Sequence, residues 1–209
     1  MNISFISEIF IKNMIFRVGN KFLSVKKPDD VLYAVKNGYK AMQPRTFDKI
    51  KDDAQIIEAQ KEKMLKDLAQ VFADYFTSPP VNFDDWHKDT CEKFLDDLNS
   101  LLKQSGYKSV AYGKAQKIVN VTFKNLYLFD DADQYSKLFE DCHFILDSAN
   151  MEWYNTQVAS VSVTTAWSNL DYPTYNQIQK EIKTYLSKQA QYPINPFEAE
   201  FSIWSDYWF

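Results

Sequence analysis

The sequence predicts an all-α protein, a compact bundle of six or seven helices. Apolar residues recur at spacings of three, four and seven over long stretches, which is the helical pattern. Only 4 glycines and 7 prolines occur among 209 residues, whereas all-β folds use both residue types in many tight turns. No repeat period, low-complexity segment or long linker divides the chain, so we expect a single domain over residues 1–209.

The N-terminal region has the least regular pattern. Residues 16–25 are typical of a small hairpin. Residues 29–38 have the pattern of a short capped helix that stops at Gly38. Because prolines break the apolar runs around these elements, residues 1–45 are predicted to be an irregular or hairpin appendage to the helical domain.

The remaining chain carries six helical patterns: residues 47–76, 82–106, 109–129, 132–149, 171–189 and 196–204. Capping signals mark several ends, with Asn82 or Asp84 before the second segment, Gly106 after it and Asp171 before the fifth. Residues 155–166 alternate like a strand, but a single strand in a helical domain has no partner. We therefore expect a helix or a loop there.

Composition excludes several classes of function. The net charge of −4 does not fit a protein that binds nucleic acid through bulk charge. Neither a dinucleotide-binding fingerprint nor a phosphate-binding P-loop is present. Cys91 and Cys142 are the two cysteines, and they are expected to be free thiols in a reducing compartment. The apolar start, residues 1–16, lacks the features of a signal peptide and is too short to span a bilayer. The sequence therefore predicts a cytoplasmic protein that does not contact a membrane.

The sequence predicts neither a cofactor nor a metal. His87 and Cys91 stand one helical turn apart, and Cys142 and His143 are adjacent, so zinc-binding residue types are present. Adjacent residues on a helix point about 100° apart. Cys142 and His143 are therefore not expected to share one metal ion.

A polar band on the most apolar helix is the first candidate site. Within residues 114–129 it comprises Gln116, Lys117, Asn120 and Lys124, which follow helical spacing between two apolar strips. A narrow polar band indicates a helix that is packed on most of its circumference. Buried amides and amines require partners, since an unpaired one costs about 1–3 kcal/mol. The partners could be protein, water or a ligand, so these four residues are candidate ligand-binding residues.

His143 is the candidate catalytic residue. On a helix over 132–149, Asp147 lies four residues after it and Glu140 three before it, on the same face. A carboxylate beside an imidazole fixes its tautomer and raises its basicity, as a general base requires. Asp147 would orient His143. If the helices at 114–129 and 132–149 are antiparallel neighbours, Asn120 and His143 meet in one polar pocket.

The chain resembles a group of uncharacterised bacterial proteins of about this length. The resemblance covers roughly residues 105–205 and rests on the pattern GxAQKxxNxxxK … CHxxxD … EAEFxxW, which begins at Gly113 and reaches Trp204. It indicates that these positions form a set. A second likeness is to the HEPN ribonucleases, helical domains with an Arg-x4–6-His motif. Lys137 stands six residues before His143, where that family has arginine, and lysine binds phosphate less well.

Three classes of function follow. The first is a protein-interaction module, for example a bacterial or phage defence or anti-defence component. The tail FSIWSDYWF, residues 201–209, favours this class because aromatic rings suit docking or self-association. The alternative is an RNA- or nucleotide-binding protein, with a HEPN-like ribonuclease as one form, that uses the pocket around Asn120 and His143. The third is a purely structural subunit.

Overall fold

The computed structural model describes residues 21–42 and 54–208, except for the side chains of residues 54–56, 205, 207 and 208. This part of the chain has eight α-helices and no strand, which confirms the all-α class. The helices are α1 (Pro28–Ala41), α2 (Ala54–Thr77), α3 (Phe83–Gln104), α4 (Tyr112–Leu126), α5 (Ser136–Phe139), α6 (Ser148–Trp153), α7 (Tyr172–Leu186) and α8 (Pro196–Trp208). None of these helices combines the length and apolar composition needed to cross a bilayer.

Helix α4 forms the centre of the bundle, with α1, α3 and α7 packed against it. Gly38 allows the closest approach, because a Cβ atom there would lie 2.7 Å from both the carbonyl oxygen of Ile118 and Oγ1 of Thr122. The predicted helix stop at Gly38 is therefore wrong. Helix α1 continues to Ala41, and this glycine serves interhelical packing instead of a turn.

The capping predictions for the longer helices are confirmed. The Asn82 side chain accepts a hydrogen bond from the backbone of Asp85 at 3.2 Å, and Asp171 accepts one from Thr174 at 2.9 Å. Gly106 has a positive φ of 73° just after α3. The backbone bonds around it form a Schellman motif, which satisfies the last carbonyls of the helix.

The predicted helix over residues 132–149 is wrong. A 3-10 turn (Ala132–Tyr135) and the single turn of α5 lead into a non-helical segment, residues 140–147, and then into α6. Phe144, Ile145 and Leu146 are consecutive and are all buried, at 0%, 4% and 0% exposure. A helix can bury three consecutive residues only if it is surrounded, because their side chains point in three directions. Other helices contact a non-helical segment here instead.

Asp130 and Asp131, which follow α4, bind a distant segment of the chain. The Asp130 carboxylate accepts a hydrogen bond from the backbone N–H of Leu23 at 2.7 Å, and Asp131 accepts one from Val25 at 2.9 Å. Residues 21–25 therefore pair with side chains and belong to no strand. The other half of the predicted hairpin, residues 16–20, lies outside the described residues, as do residues 47–53 of the predicted second helix.

Residues 155–166 are a turn followed by a loop. A single π-helical turn, Tyr154–Val158, continues α6, and the loop after it contains no strand. The Asn155 side chain donates a hydrogen bond to the carbonyl oxygen of Val163 at 3.0 Å and accepts one from the N–H of Val163 at 2.8 Å. The strand-like alternation therefore lies in a loop, whose backbone forms hydrogen bonds with a side-chain amide and not with another strand.

Candidate functional site

The polar band on α4 is buried. Gln116 and Asn120 are 0% exposed, Lys124 is 4% exposed and Lys117 is 8% exposed. Each of these side chains has hydrogen-bonding or ionic partners inside the protein. The band is therefore not a solvent-exposed face of the helix. Its polar groups can lie in the core because other groups of the protein pair with them.

Two glutamines bind the backbone of the non-helical segment that follows α5. Gln116 donates to the carbonyl oxygen of Leu146 at 2.8 Å and accepts from its N–H at 3.4 Å. Gln179 of α7 does the same with Phe144, at 2.8 and 3.0 Å. A side-chain amide carries one acceptor and two donors, so it can replace the partner strand that this backbone lacks.

The orientation of the whole polar cluster follows from one glutamine. Gln116 donates to the carbonyl oxygens of Gly113 and Leu146, so its own oxygen must face Asn120. The Asn120 amide nitrogen donates to that oxygen at 3.0 Å and to the Tyr175 hydroxyl at 3.0 Å. The Asn120 oxygen then faces Nε2 of His87 at 2.8 Å. Because this oxygen only accepts, Nε2 of His87 carries the proton.

The same reasoning extends from the core to the surface. The Tyr175 oxygen accepts from Asn120, and Nε2 of His87, 3.5 Å away, is protonated and cannot accept. The Tyr175 O–H therefore donates to Nδ1 of His143, at 2.9 Å. Nε2 of His143 therefore carries a proton, which it donates to the Asp84 carboxylate at 2.8 Å. Asn120, Tyr175, His143 and Asp84 thus form one directional hydrogen-bonded chain. Its last member, Asp84, has a 65% exposed side chain.

Burial controls the ionisation of the inner histidine. His87 is 0% exposed, and this desolvation lowers its pKa well below the ordinary 6.5. Its other nitrogen, Nδ1, accepts from the Tyr112 hydroxyl at 3.4 Å. At the exposed end, the hydrogen bond from His143 lowers the pKa of Asp84. Because Nε2 of His87 donates to Asn120, the hydrogen-bonded chain extends from a neutral buried imidazole to an ionised surface carboxylate.

Both nitrogens of His143 are occupied. Nδ1 accepts from Tyr175 and Nε2 donates to Asp84. A general base needs a nitrogen within hydrogen-bond reach of its substrate. The hydroxyl that His143 could deprotonate belongs to Tyr175, which is 0% exposed. The arrangement resembles a catalytic triad in its bonding, but solvent and substrate do not reach the hydroxyl.

Asp147 lies in a different cluster from His143. Its carboxylate caps α6 by accepting from the backbone of Asn150 at 3.0 Å, and it contacts the Lys117 amine at 3.3 Å. The Lys117 amine also lies 4.6 Å from the centre of the Trp167 ring. The carboxylate that orients His143 is Asp84 instead. The expected alignment with Asp147 fails because no helix carries both residues.

Lys124 takes part in a third cluster, between α4 and α8. Its amine lies 2.6 Å from the carboxylate of Glu200, and both side chains are 5% exposed or less. The amide of Asn150 donates to the other Glu200 oxygen at 3.1 Å. The amine also faces the rings of Phe201 and Trp204, at 4.6 and 5.1 Å. Lys124 is therefore separated from the cluster that contains Asn120.

The structure brings Asn120 and His143 together through a shared partner, the Tyr175 hydroxyl. Their ligand-binding and catalytic roles stay predictions. Sequence analysis missed Tyr175 and Gln179 as partners. The sequence does contain a pattern that could have identified them, because their polar groups lie one helical turn apart on the apolar face of α7. Asp84 was noted as a capping residue, and no local pattern links it to His143.

A groove on the outer side of the α2–α3 hairpin is the second candidate site. Its volume is about 250 Å³ and it is open to solvent. It is lined by Met64, Asp67, Leu68 and Val71 of α2 and by Trp86, Asp89, Thr90, Lys93, Phe94 and Asp97 of α3. The floor is apolar and the charged residues stand on its rims. Pockets that enclose a small molecule typically measure about 300–1,000 Å³, so this groove is better suited to individual side chains of a larger partner.

The chain matches no protein-family model, no curated protein and no solved structure. The protein is therefore described by its own fold and its two candidate sites. This is an all-helical domain with a closed internal polar cluster and an open apolar groove. The resemblances to bacterial proteins and to HEPN ribonucleases stay predictions of the sequence.

Proposed function

We propose that the protein is a protein-interaction module that holds an α-helix of a partner protein in the groove between α2 and α3. The groove itself is the observation that carries this proposal. Its floor presents apolar side chains, among them Val71 and Trp86, which are only partly buried. Apolar surface that remains accessible gains free energy when a partner covers it, at about 25 cal/mol per Å².

The internal polar cluster supports this choice by contrast. Gln116 and Asn120 are closed off from solvent, and the protein itself supplies their hydrogen bonds. A ligand that bound them would have to break those bonds before forming its own. The groove needs no such rearrangement before it can accept a partner.

The C-terminal aromatic tail is a weaker docking surface than the groove. Phe201 is 2% exposed and its ring centre lies 5.5 Å from that of Phe197, so it belongs to the core. Trp204 contacts the Lys124 amine. The side chains of residues 207–209 lie outside the described part of the chain. Docking or self-association through these three rings stays a prediction, as does an origin in a bacterial or phage defence or anti-defence system.

A second candidate function, RNA or nucleotide binding, is favoured by two lysines. Lys180 and Lys183 of α7 line a small pocket of about 50 Å³ together with His143. Lys137, the residue that would stand for the HEPN arginine, does not line it. Asp84, Glu140 and Asp141 line the same pocket and would repel phosphate. This interpretation is therefore the weaker one.

Nucleotide titration of wild type and Lys180→Ala/Lys183→Ala tests it, and equal weak binding by both contradicts it.

Site-specific photo-crosslinking tests the groove as a docking surface. A photoreactive amino acid is placed at Val71 in the groove or at Val121 on α4, which is also a half-buried valine but does not line the groove. In cells that produce the protein, position 71 should give a discrete adduct with a partner and position 121 should not. Peptide mapping should place the adduct on a helical segment of that partner.

A groove variant completes the test. Thr90→Glu places a charge in the lining of the groove that also contains Val71, and it should abolish the adduct from position 71. Circular dichroism must show that this variant is folded. An adduct that forms equally well from position 121, or one that survives Thr90→Glu in the folded protein, would overturn the proposal.

A further inference from the structure

We infer that the segment held in the groove is a cationic amphipathic α-helix, with lysine or arginine side chains about two turns apart beside its apolar face. This inference rests on the proposed docking function and names the chemistry of the partner. Three observations support it: the shape of the groove walls, the charges on its rims and the spacing of those charges.

The walls of the groove favour a helix over an extended peptide. Its lining residues fall on one stripe of each helix, from Met64 to Val71 on α2 and from Trp86 to Asp97 on α3. An extended peptide gains affinity by hydrogen-bonding an exposed strand edge. The backbone groups of two helices are already bonded internally, so these walls offer no such edge. A third helix can instead place its apolar ridge in the groove.

The rims of the groove are mainly acidic. Three aspartates and one lysine line it, so the lining charge is three negative minus one positive, or −2. Asp67 forms an exposed ion pair with Lys63 at 2.5 Å. Asp89 and Asp97 form no ion pair with any described residue within 4.0 Å. The Lys63 amine, which pairs with Asp67, also attracts Asp97 at longer range. Asp89 and Asp97 can meet cations of a partner, and they disfavour nucleic acid and anionic membranes.

The spacing of the two carboxylates sets the spacing of the partner's cations. Asp89 and Asp97 are eight residues apart on α3, with Lys93 midway between them. Eight residues of helix rise about 12 Å. A partner helix lying along the groove would meet both carboxylates with basic residues seven or eight positions apart. An acidic or neutral residue between them would face Lys93.

Synthetic peptides test this inference directly. One fluorescein-labelled helical peptide carries leucines on one face and two lysines eight residues apart beside it. A second peptide has glutamates at those two positions and is otherwise identical. Fluorescence anisotropy should show about tenfold tighter binding of the lysine peptide, since rim charges set specificity. The difference should shrink at high salt because exposed charges are screened.

Charge-reversal variants identify the carboxylates. Asp89→Lys/Asp97→Lys should reverse the preference between the two peptides. Glu92→Lys/Asp96→Lys is the matched control, because both residues are exposed on α3 and neither lines the groove. The control carries the same charge change and should keep the preference of wild type.

The outcomes separate this inference from the proposed function. If wild type binds both peptides equally and Thr90→Glu abolishes both, the groove is a docking surface but its partner chemistry is not the one inferred. If neither peptide binds, or if both double variants behave alike, the inference fails. Sedimentation that shows a dimer of this chain, dissociated by Thr90→Glu, would also overturn it because a second copy would then be the occupant.

Discussion

The interior cluster around α4 and the groove between α2 and α3 use opposite chemistry. The interior cluster is polar and the bonds among its members are internal, as the Asn120 amide shows with Gln116 and Tyr175. The groove is apolar and remains accessible to solvent. A polar residue inside this helical bundle indicates a partner within the protein. An accessible apolar stripe instead indicates a partner outside it.

Substitutions should therefore separate the two regions. A change in the interior should lower the free energy of unfolding without altering which partner is bound. A change in the groove should alter partner binding with little effect on stability.

Lys124→Met should have the largest effect. It leaves the Glu200 carboxylate buried without its cation, and breaking a buried ion pair costs about 3–5 kcal/mol. Chemical denaturation of both proteins measures this. Lys124→Met/Glu200→Gln should recover part of the loss because it removes the unpaired charge. If Lys124→Met leaves stability unchanged, the ion pair contributes nothing to the fold, and the interior would not differ from the groove in its effect on stability.

Asn120→Leu should cost about 3 kcal/mol. It removes the acceptor that lies 2.8 Å from the protonated Nε2 of His87 and leaves the more distant Tyr175 hydroxyl at 3.5 Å. A poorly satisfied buried donor costs about 1–3 kcal/mol. The bonds of Asn120 to Gln116 and Tyr175 are lost as well. His143→Phe should cost less, because the His143 side chain is 13% exposed whereas Asn120 is 0% exposed. The folded fraction of each variant should still give the crosslinked adduct, and a folded Asn120→Leu protein that loses the adduct would make this cluster the binding site.

Acid should destabilise the protein through His87. Burial lowers its pKa in the folded protein, so the unfolded chain takes up a proton near the ordinary pKa of 6.5 while the folded protein does not. The free energy of unfolding should therefore fall as pH drops below 6.5, by up to about 1.4 kcal/mol per pH unit. Asp84 has a lowered pKa, so its contribution is lost only below the ordinary value of 3.8.

His87→Gln isolates this effect. Glutamine can donate to the Asn120 oxygen and has no proton to gain in this range. Urea unfolding between pH 7.5 and 5.5 should show a shallower pH dependence for the variant than for wild type. Equal slopes for the two proteins would show that other groups control the acid sensitivity.

The smallest change in stability is expected in the groove. Asp89 and Asp97 are exposed, so each reversal to lysine should change the free energy of unfolding by about 0.5 kcal/mol or less. The same double variant should reverse the preference between the two peptides. A large loss of stability would show that these carboxylates support the fold, and the contrast between the two regions would disappear.

Local sequence patterns predicted correctly the helices whose ends are encoded within a few residues. Asn82, Gly106 and Asp171 act on backbone groups within a few residues, so their patterns correctly mark the ends of α3 and the start of α7. The polar band on α4 also showed that this helix is surrounded. These features depend on spacing along one helix, which the sequence displays directly.

The path of residues 140–147 and the partners of the polar band depend on contacts between residues that are distant in the sequence. Local pattern favoured a helix there, but the backbone of Phe144 and Leu146 bonds to glutamines 35 and 30 residues away. The pairing of His143 with Asp84 spans 59 residues. The groove likewise exists only where α2 and α3 meet side by side. Hydrogen bonds and packing between distant residues outweigh local preference because they satisfy groups that would otherwise be buried without partners.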